Sequence, residues 1–298
     1  MSNIPWYLPV VLYIVFAFMI IPFLVKKFAC QVSRTRKLVW QYLFAALFTI
    51  VTSIAAGIKW NDNFLWVAAI GVANAFGCYC QWRAIAINLS VTSVMTWADD
   101  VIALGLGFVL LNETKYLNPA ISIGLVGVGL AILLFSLANK QTRNDAANSD
   151  HMIDILTWVA LYSVIWGVAM FSLRYFSLGG MKLLGFVSSW YAGSFFGSLI
   201  VLALAGKEEK GISLNASQVL GILILALAIL FSLSFQYWAK SVAPLTIVQP
   251  IFQVSEMIFP TLIGLFVYKE YKQFNWVSWP ALVLGLVGGL RIAFSFGK

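Results

Sequence analysis

The chain reads as an all-α polytopic membrane protein, with ten transmembrane helices in two inverted five-helix repeats. Three observations predict this. The 298 residues are 61% hydrophobic and only 10% charged, whereas soluble domains carry about 25% charged residues. Ten apolar stretches each approach the ~20 residues that a helix needs to cross a bilayer. Matching segments recur in one order in the two halves of the chain. A transmembrane barrel would alternate in short strands, and the long Leu, Ile, Val and Ala runs argue against it.

The stretches cover residues 6–25, 38–58, 64–85, 91–111, 120–137, 153–173, 183–205, 218–238, 245–267 and 277–294. Connectors between them are short, so neighbouring spans are expected to pack as antiparallel pairs. Residues 1–140 form the first repeat and residues 153–298 the second. The polar linker 141–152 lies between them, within a run beginning KQTRNDAANSD at Lys140. The first span has no basic leader and exceeds a signal-peptide core, which argues against a cleaved signal.

The net charge of +8 does not call for a nucleic-acid partner. The 19 Lys and Arg are scattered over connectors, where they set orientation and meet anionic headgroups. More of them fall on the face opposite the termini, which by itself places both termini outside. Cys30, Cys78 and Cys80 form no metal or disulfide framework. Cys78 and Cys80 are two apart on a helix, point to different faces, and read as small apolar fillers.

The repeat is visible in particular residues. Gln81-Trp82 and Gln236-Tyr237 lie 155 residues apart. At an offset of 157, Gly107 meets Gly264 and Glu113 meets Glu270, and GLVG at residues 124–127 recurs at 285–288. Five spans per half is an odd number, so the second copy is inverted. Inverted repeats are a common transporter plan, with the binding site near the midplane.

Candidate functional residues come from acids in apolar surroundings. Asp99, Asp100 and Glu256 lie near mid-span, where a carboxylate costs roughly 2.5–3.5 kcal/mol and marks a pathway or site. No Lys or Arg occupies the middle of a span. On the ninth stretch Gln249, Gln253 and Glu256 fall at i, i+4 and i+7, one stripe of a helix. The same offset maps them onto Thr92, Thr96 and Asp99. Such stripes either join helices by hydrogen bonds or line a cavity. Asp99 and Asp100 are about 100° apart around a helix. The repeat favours Asp99 as the cavity-facing acid, with Asp100 held by a polar neighbour. Trp97 and Phe252 adjoin the acids and are candidates for contact with the apolar part of a solute, as aromatic faces suit organic cations.

Further candidates for a gate or cavity are Gln81, Arg83, Gln236, Lys240, Pro250 and Pro260. Pro250 and Pro260 bracket Glu256 and remove backbone donors, which bends a helix or frees carbonyls. Arg83, Arg174, Lys240 and Arg291 lie towards span ends, where long side chains snorkel to headgroups; Arg83 and Lys240 also follow the matched glutamines. Glu113 and Glu270 suit helix capping or salt bridging. Glycines at 124–129, 285–289, 193 and 197 suit close helix contact. With His151 alone in the linker and no nucleophile cluster, neither an enzyme nor a catalytic residue is expected, and neither is a metal site or a cofactor.

These residues resemble the drug/metabolite transporter superfamily, most closely its EamA-type ten-span members. The resemblance rests on AIAINLSVTS at residues 84–93, GFVLLNET at 107–114, its partner GLFVYKE at 264–270, Pro250 in VQPIF, Trp166-Gly167 and the two GLVG segments. It implies secondary transport of small metabolites or drugs through a central cavity, without ATP hydrolysis, and cytoplasmic termini. The acids at 99, 100 and 256 depart from the apolar-small-proline stretch usual in these spans.

The expected function is secondary active transport of a small organic solute, an amine or other cationic metabolite or drug, coupled to protons by alternating access. The alternatives are an exporter of neutral or zwitterionic metabolites such as amino acids, and a non-transporting receptor or assembly subunit. Expected partners are the solute, protons or another coupling ion, and the lipid bilayer, with a homodimer left open. The expected location is the bacterial inner (plasma) membrane.

Overall fold

A computed structural model of the chain describes residues 5–28, 34–59, 63–87, 97–141, 149–204, 215–267 and 278–296. Among these residues every regular element is helical. The α-helices are α1 (Tyr7–Ile14), α2 (Ile21–Phe28), α3 (Arg34–Ala55), α4 (Asn63–Ile87), α5 (Trp97–Leu110), α6 (Pro119–Gln141), α7 (Ser149–Leu178), α8 (Leu183–Leu204), α9 (Ala216–Val242), α10 (Leu245–Leu262) and α11 (Ser278–Ser295). A π-helical segment, Val15–Ile20, joins α1 to α2, and another, Ile263–Val267, extends α10. Among the described residues six helical stretches are long and apolar enough to cross a membrane: Tyr7–Leu24, Thr35–Ala55, Asn63–Gln81, Thr157–Leu178, Leu183–Leu204 and Ala216–Val242. Pro119–Leu134 and Trp279–Ser295 are shorter apolar helices. The chain is all-α and has the make-up of an integral membrane protein.

Local chemistry explains where helices begin and end. Asn118 accepts the Ile121 N–H at 2.8 Å just ahead of Pro119, so α6 opens with a side-chain cap and a proline in its first turn. Asn215 and Gln218 bond each other's backbone N–H at 3.1 and 2.8 Å, a reciprocal cap for α9. At the end of α7 the Met181 N–H bonds the Phe176 carbonyl at 3.1 Å around Gly180, whose φ of +76° is a left-handed conformation that glycine adopts without a Cβ penalty.

The chain divides into two compact units: Met1–Trp82 with Ser172–Val242, and Arg83–Phe171 with Ala243–Lys298. Each draws on both halves of the sequence. The compact units are therefore built differently from the linear division into 1–140 and 153–298.

In the first unit α4 and α8 meet backbone to backbone. A Cβ on Gly193 would overlap the Ala68 carbonyl oxygen, and one on Gly71 would overlap that of Trp190; at Gly197 it would stand 2.6 Å from the Val72 oxygen. Only glycine permits this approach. A polar network lies in the same layer. Asn74 donates to the Tyr42 hydroxyl at 3.2 Å and to Ser194 at 3.3 Å, and Ser194 donates to the Gly71 carbonyl at 3.0 Å. Cys78 Sγ is 3.1 Å from the Tyr42 hydroxyl, so this thiol takes part in hydrogen bonding and is more than an apolar filler. Cys80 is buried, as a filler would be, and Cys30 lies outside the described residues.

In the second unit the two GLVG segments pack on each other. A Cβ on Gly124 would stand 2.9 Å from the Gly288 oxygen, and one on Gly288 would stand 2.9 Å from the Gly124 oxygen. Matching residues from the two halves thus form one contact between α6 and α11. Gly167 of α7 accepts α5 in the same way: a Cβ there would overlap Ile102 and stand 2.9 Å from the Asp99 carbonyl oxygen. That contact limits how α5 turns about its own axis, and so which way its acids point.

Candidate functional site

The second unit holds a cavity of ≈ 280 Å³ between α5, α6 and α10. Along α5 it is lined by Trp97, Asp100, Val101, Leu104 and Phe108, which share one helical face. Helix α10 contributes Gln249, Pro250 and Gln253; Leu125, Val128, Gly129 and Ile132 of α6 complete the wall.

Asp100 is the acid that lines this cavity. Its Oδ1 accepts a hydrogen bond from Gln249 Nε2, the polar neighbour that the sequence leads one to expect. Asp99, favoured by the repeat as the cavity-facing acid, is half-buried and is not part of this wall. It lies within electrostatic reach of Asp100, Glu256 and Tyr162. Glu256 is exposed while Gln249 and Gln253 are buried, so the predicted stripe divides: two amides face the cavity, and the acid lies outside its wall. That Asp100 rather than Asp99 meets the cavity follows from the 100° step between adjacent residues combined with the Gly167 contact that orients α5.

The Gln249 amide has a definite orientation. Its amide nitrogen is the atom that faces Asp100 Oδ1. Its Oε1 then points elsewhere and is buried without a hydrogen-bond partner. An unsatisfied buried acceptor costs about 1–3 kcal/mol. The Asp100–Gln249 contact thus leaves the amide oxygen of Gln249 as a buried acceptor.

Helix α10 is aimed by a second carboxylate. Its N-cap is Pro244, which has no side chain able to cap. Glu113 fills that role: its Oε2 accepts the Thr246 backbone N–H at 3.1 Å and the Thr246 hydroxyl at 3.2 Å. Glu113 is only 2% exposed, and negative charge at a helix N-terminus is favourable. This is the capping use expected for it. Its repeat partner Glu270 lies outside the described residues, as do Thr92 and Thr96.

The remaining candidates are dispersed. Phe252 is buried at 2% exposure. Pro260 is half-buried and is followed by the π-helical turns. Within the first unit, Gln236 donates to the Tyr13 hydroxyl at 3.0 Å, and the Tyr237 hydroxyl donates to the Met181 carbonyl at 2.6 Å. Gln81 is half-buried, whereas Arg83 and Arg291 are exposed.

Arg174 and Lys240 correct the sequence reading. Both lie near span ends, yet Arg174 is 6% exposed and Lys240 0%, so neither snorkels outwards. Arg174 Nη1 donates to the carbonyls of Lys240 at 2.7 Å and Ser241 at 3.3 Å, satisfying the C-terminus of α9. Among the described residues, no group of three or more His, Cys, Asp or Glu could hold a metal ion.

Sequence reasoning missed the α6 wall and Tyr162, which carry no charge to mark them. It also missed Asn74, although a lone Asn inside an apolar stretch was a readable signal.

No family model matches the chain, and no curated protein matches it. A solved chain described only as a crystal structure of a protein aligns with a TM-score of 0.69 at 14% identity, over 98% of this chain and 97% of that one. At this identity the likeness shows a shared fold and nothing about activity.

Proposed function

We propose that the protein is a secondary active transporter of a small organic cation, coupled to protons and working by alternating access. In this reading it is a ten-helix, inverted-repeat protein of the EamA-like drug/metabolite transporter type, resident in the bacterial inner membrane. One observation carries the proposal: Asp100 and Gln249, on two apolar helices, meet at the wall of a cavity that is otherwise largely apolar. A carboxylate at this depth is costly unless it serves a site or a pathway. The contact between the two GLVG segments supports the repeat.

Asp99, Glu256 and Tyr162 supply the coupling side of the proposal. They lie outside the wall that holds Asp100, and both acids are also within electrostatic reach of Asp100. In this reading Asp100, in the cavity wall, serves the solute, and the two acids coupled to it carry protons. The same cluster of coupled acids suits a second reading, in which the solute is zwitterionic and the acids act as proton relays.

The test uses purified protein in sealed vesicles with an imposed pH gradient and a radiolabelled amine. Expected is amine flux that collapses when the gradient is dissipated, with protons moving in the opposite sense. Amine flux indifferent to the gradient removes proton coupling, and the absence of flux for amines and amino acids alike removes the transporter reading.

A further inference from the structure

We propose that the cavity of the second unit opens sideways onto the bilayer hydrocarbon, between Val101 of α5 and Gly129 of α6, and admits the alkyl or aryl tail of a single-chain amphiphile dissolved in the membrane. This rests on the transporter reading and deepens it by naming the class of solute and its route to the site.

The first observation is an opening. Val101 and Gly129 both line the cavity and both are exposed, Val101 at 53%. Helix α10 packs against α5 and against α6, and its lining residues Gln249, Pro250 and Gln253 are buried. The wall is thus closed at α10 and open along the edge between α5 and α6. The glycines there are a further sign. Gly124 and Gly167 sit against the backbone of another helix, whereas a Cβ on Gly129, or on Gly105 one turn beyond Val101, would meet no atom within 4 Å. Glycine is unfavourable inside a helix, and at these two positions no close approach accounts for it. What glycine leaves at position 129 is width at the mouth.

The second observation is the surface around the mouth. Its exposed neighbours, Val109 on α5 and Val126, Leu130 and Leu133 on α6, are apolar. Helix α6 carries no Asp, Glu, Lys or Arg between Pro119 and Ala138. A water-filled entrance in a membrane protein is faced with polar side chains. This one is faced with hydrocarbon.

The third observation is polarity along the cavity. Asp100 meets Gln249 and Glu113 meets Thr246, so the two chain segments run antiparallel. Gln253 therefore lies towards the Trp97 end, and the polar groups of the wall collect there. Leu104 and Phe108 lie about 6 and 12 Å beyond Asp100 along the helix axis, facing a wall that includes Leu125 and Val128. One polar end and one apolar end match a molecule with a single head and a single tail. A cavity of about 150 Å³ holds one benzene ring, so ≈ 280 Å³ takes a short chain or one substituted ring and excludes the paired chains of a membrane lipid. A tail that moves from lipid to this wall exchanges one apolar surrounding for another. The hydrophobic effect then contributes little, and packing and shape select.

The experiment uses the full-length protein in phospholipid vesicles. The probe is octylamine carrying a diazirine on its tail, and photolabelled residues are mapped by mass spectrometry. Expected is saturable labelling within residues 101–108, displaced by octylamine and left in place by dioctylamine. Gly129→Phe should raise the half-saturating concentration at least about tenfold, and Leu130→Trp, turned about 100° away on the same helix, should leave it within about twofold. Should Gly129→Phe fail to fold, Val101→Trp narrows the mouth from the other side. In a second arm the native cysteines are replaced by serine and a spin label is attached to the Gly129→Cys variant. The label should collide with oxygen dissolved in the lipid more often than with a water-soluble nickel chelate. Labelling that does not saturate, or that the mouth substitutions leave unchanged, overturns the tail site. Proton-coupled amine flux persisting in the same vesicles then leaves the transporter reading standing, and its absence removes that reading too. Saturable labelling with the nickel chelate as the stronger collider keeps the site and overturns the lateral route. Displacement by dioctylamine overturns the restriction to a single chain.

Discussion

Glu113 and Thr246, separated by 133 residues, are joined by two hydrogen bonds from one carboxylate oxygen, at 3.1 Å to the backbone N–H and 3.2 Å to the hydroxyl. Because Pro244 cannot cap α10, this carboxylate does so from a distant segment. Glu113→Ala should lower stability by about 1–2 kcal/mol, the usual worth of a cap. Glu113→Gln keeps an acceptor oxygen and should lose less, and Thr246→Val keeps the backbone bond. Thermal unfolding in detergent ranks the three; a Glu113→Ala protein as stable as the parent would refute the capping role.

Glycines that look alike in sequence should respond differently to a methyl group. At Gly193 a Cβ meets the Ala68 backbone, which has no side chain to swing aside. Gly193→Ala should cost about 3 kcal/mol or more, or prevent folding. Gly105 meets nothing within 4 Å; there alanine should be neutral or stabilise by about 0.5–1 kcal/mol through helix propensity. Melting temperatures that shift equally would show that α4 and α8 are not in backbone contact.

The buried Arg174 satisfies carbonyls at the end of α9. Arg174→Met removes these donors and leaves the Lys240 carbonyl with the longer bond from the Ser177 hydroxyl, at 3.4 Å. A loss of about 2–3 kcal/mol is expected, the scale for charged hydrogen bonds. A lysine here restores charge without the guanidinium fork, so recovery should be partial. Chemical denaturation curves of the parent and both variants decide it.

Asn74 should matter less than its burial suggests. Tyr42 keeps its contact with Cys78, and Ser194 keeps its bond to Gly71, when the Asn amide is removed. Asn74→Leu should cost only about 1 kcal/mol, within the range for interhelical hydrogen bonds in membrane proteins. A loss several times larger, read from the same unfolding curves, would mean that the network is cooperative.

The neighbouring acids should separate by assay. Asp100 lines the cavity and Asp99 is not part of its wall. Asp99→Asn should leave amine affinity within about threefold of the parent, against at least about tenfold weakening in Asp100→Asn. In the pH-gradient flux assay the order should reverse, with Asp99→Asn the more damaging to coupling. Equal effects of the two substitutions on affinity would refute the division of labour.

Part of the site was legible because helical periodicity is local. Gln249 and Gln253 fall four apart, and both line the cavity. The choice between Asp99 and Asp100 was not, because adjacent residues diverge by 100° and the rotation of α5 depends on contact with Gly167. Arg174 and Lys240 were misread for a similar reason. Their nearness to span ends is a linear property, and their burial comes from neighbours that the linear order does not name.

Composition and period alone determined that this chain is helical and apolar, since a polypeptide in lipid must satisfy its backbone hydrogen bonds within each segment. The caps at Asn118 and Asn215 are equally local and were fixed by nearby side chains. Folding in three dimensions decided which acid meets the cavity, which carboxylate caps α10, and how the two units draw on both halves of the chain. Each of these depends on the rotation and packing of one helix against another, and that is settled by contacts between residues far apart in sequence.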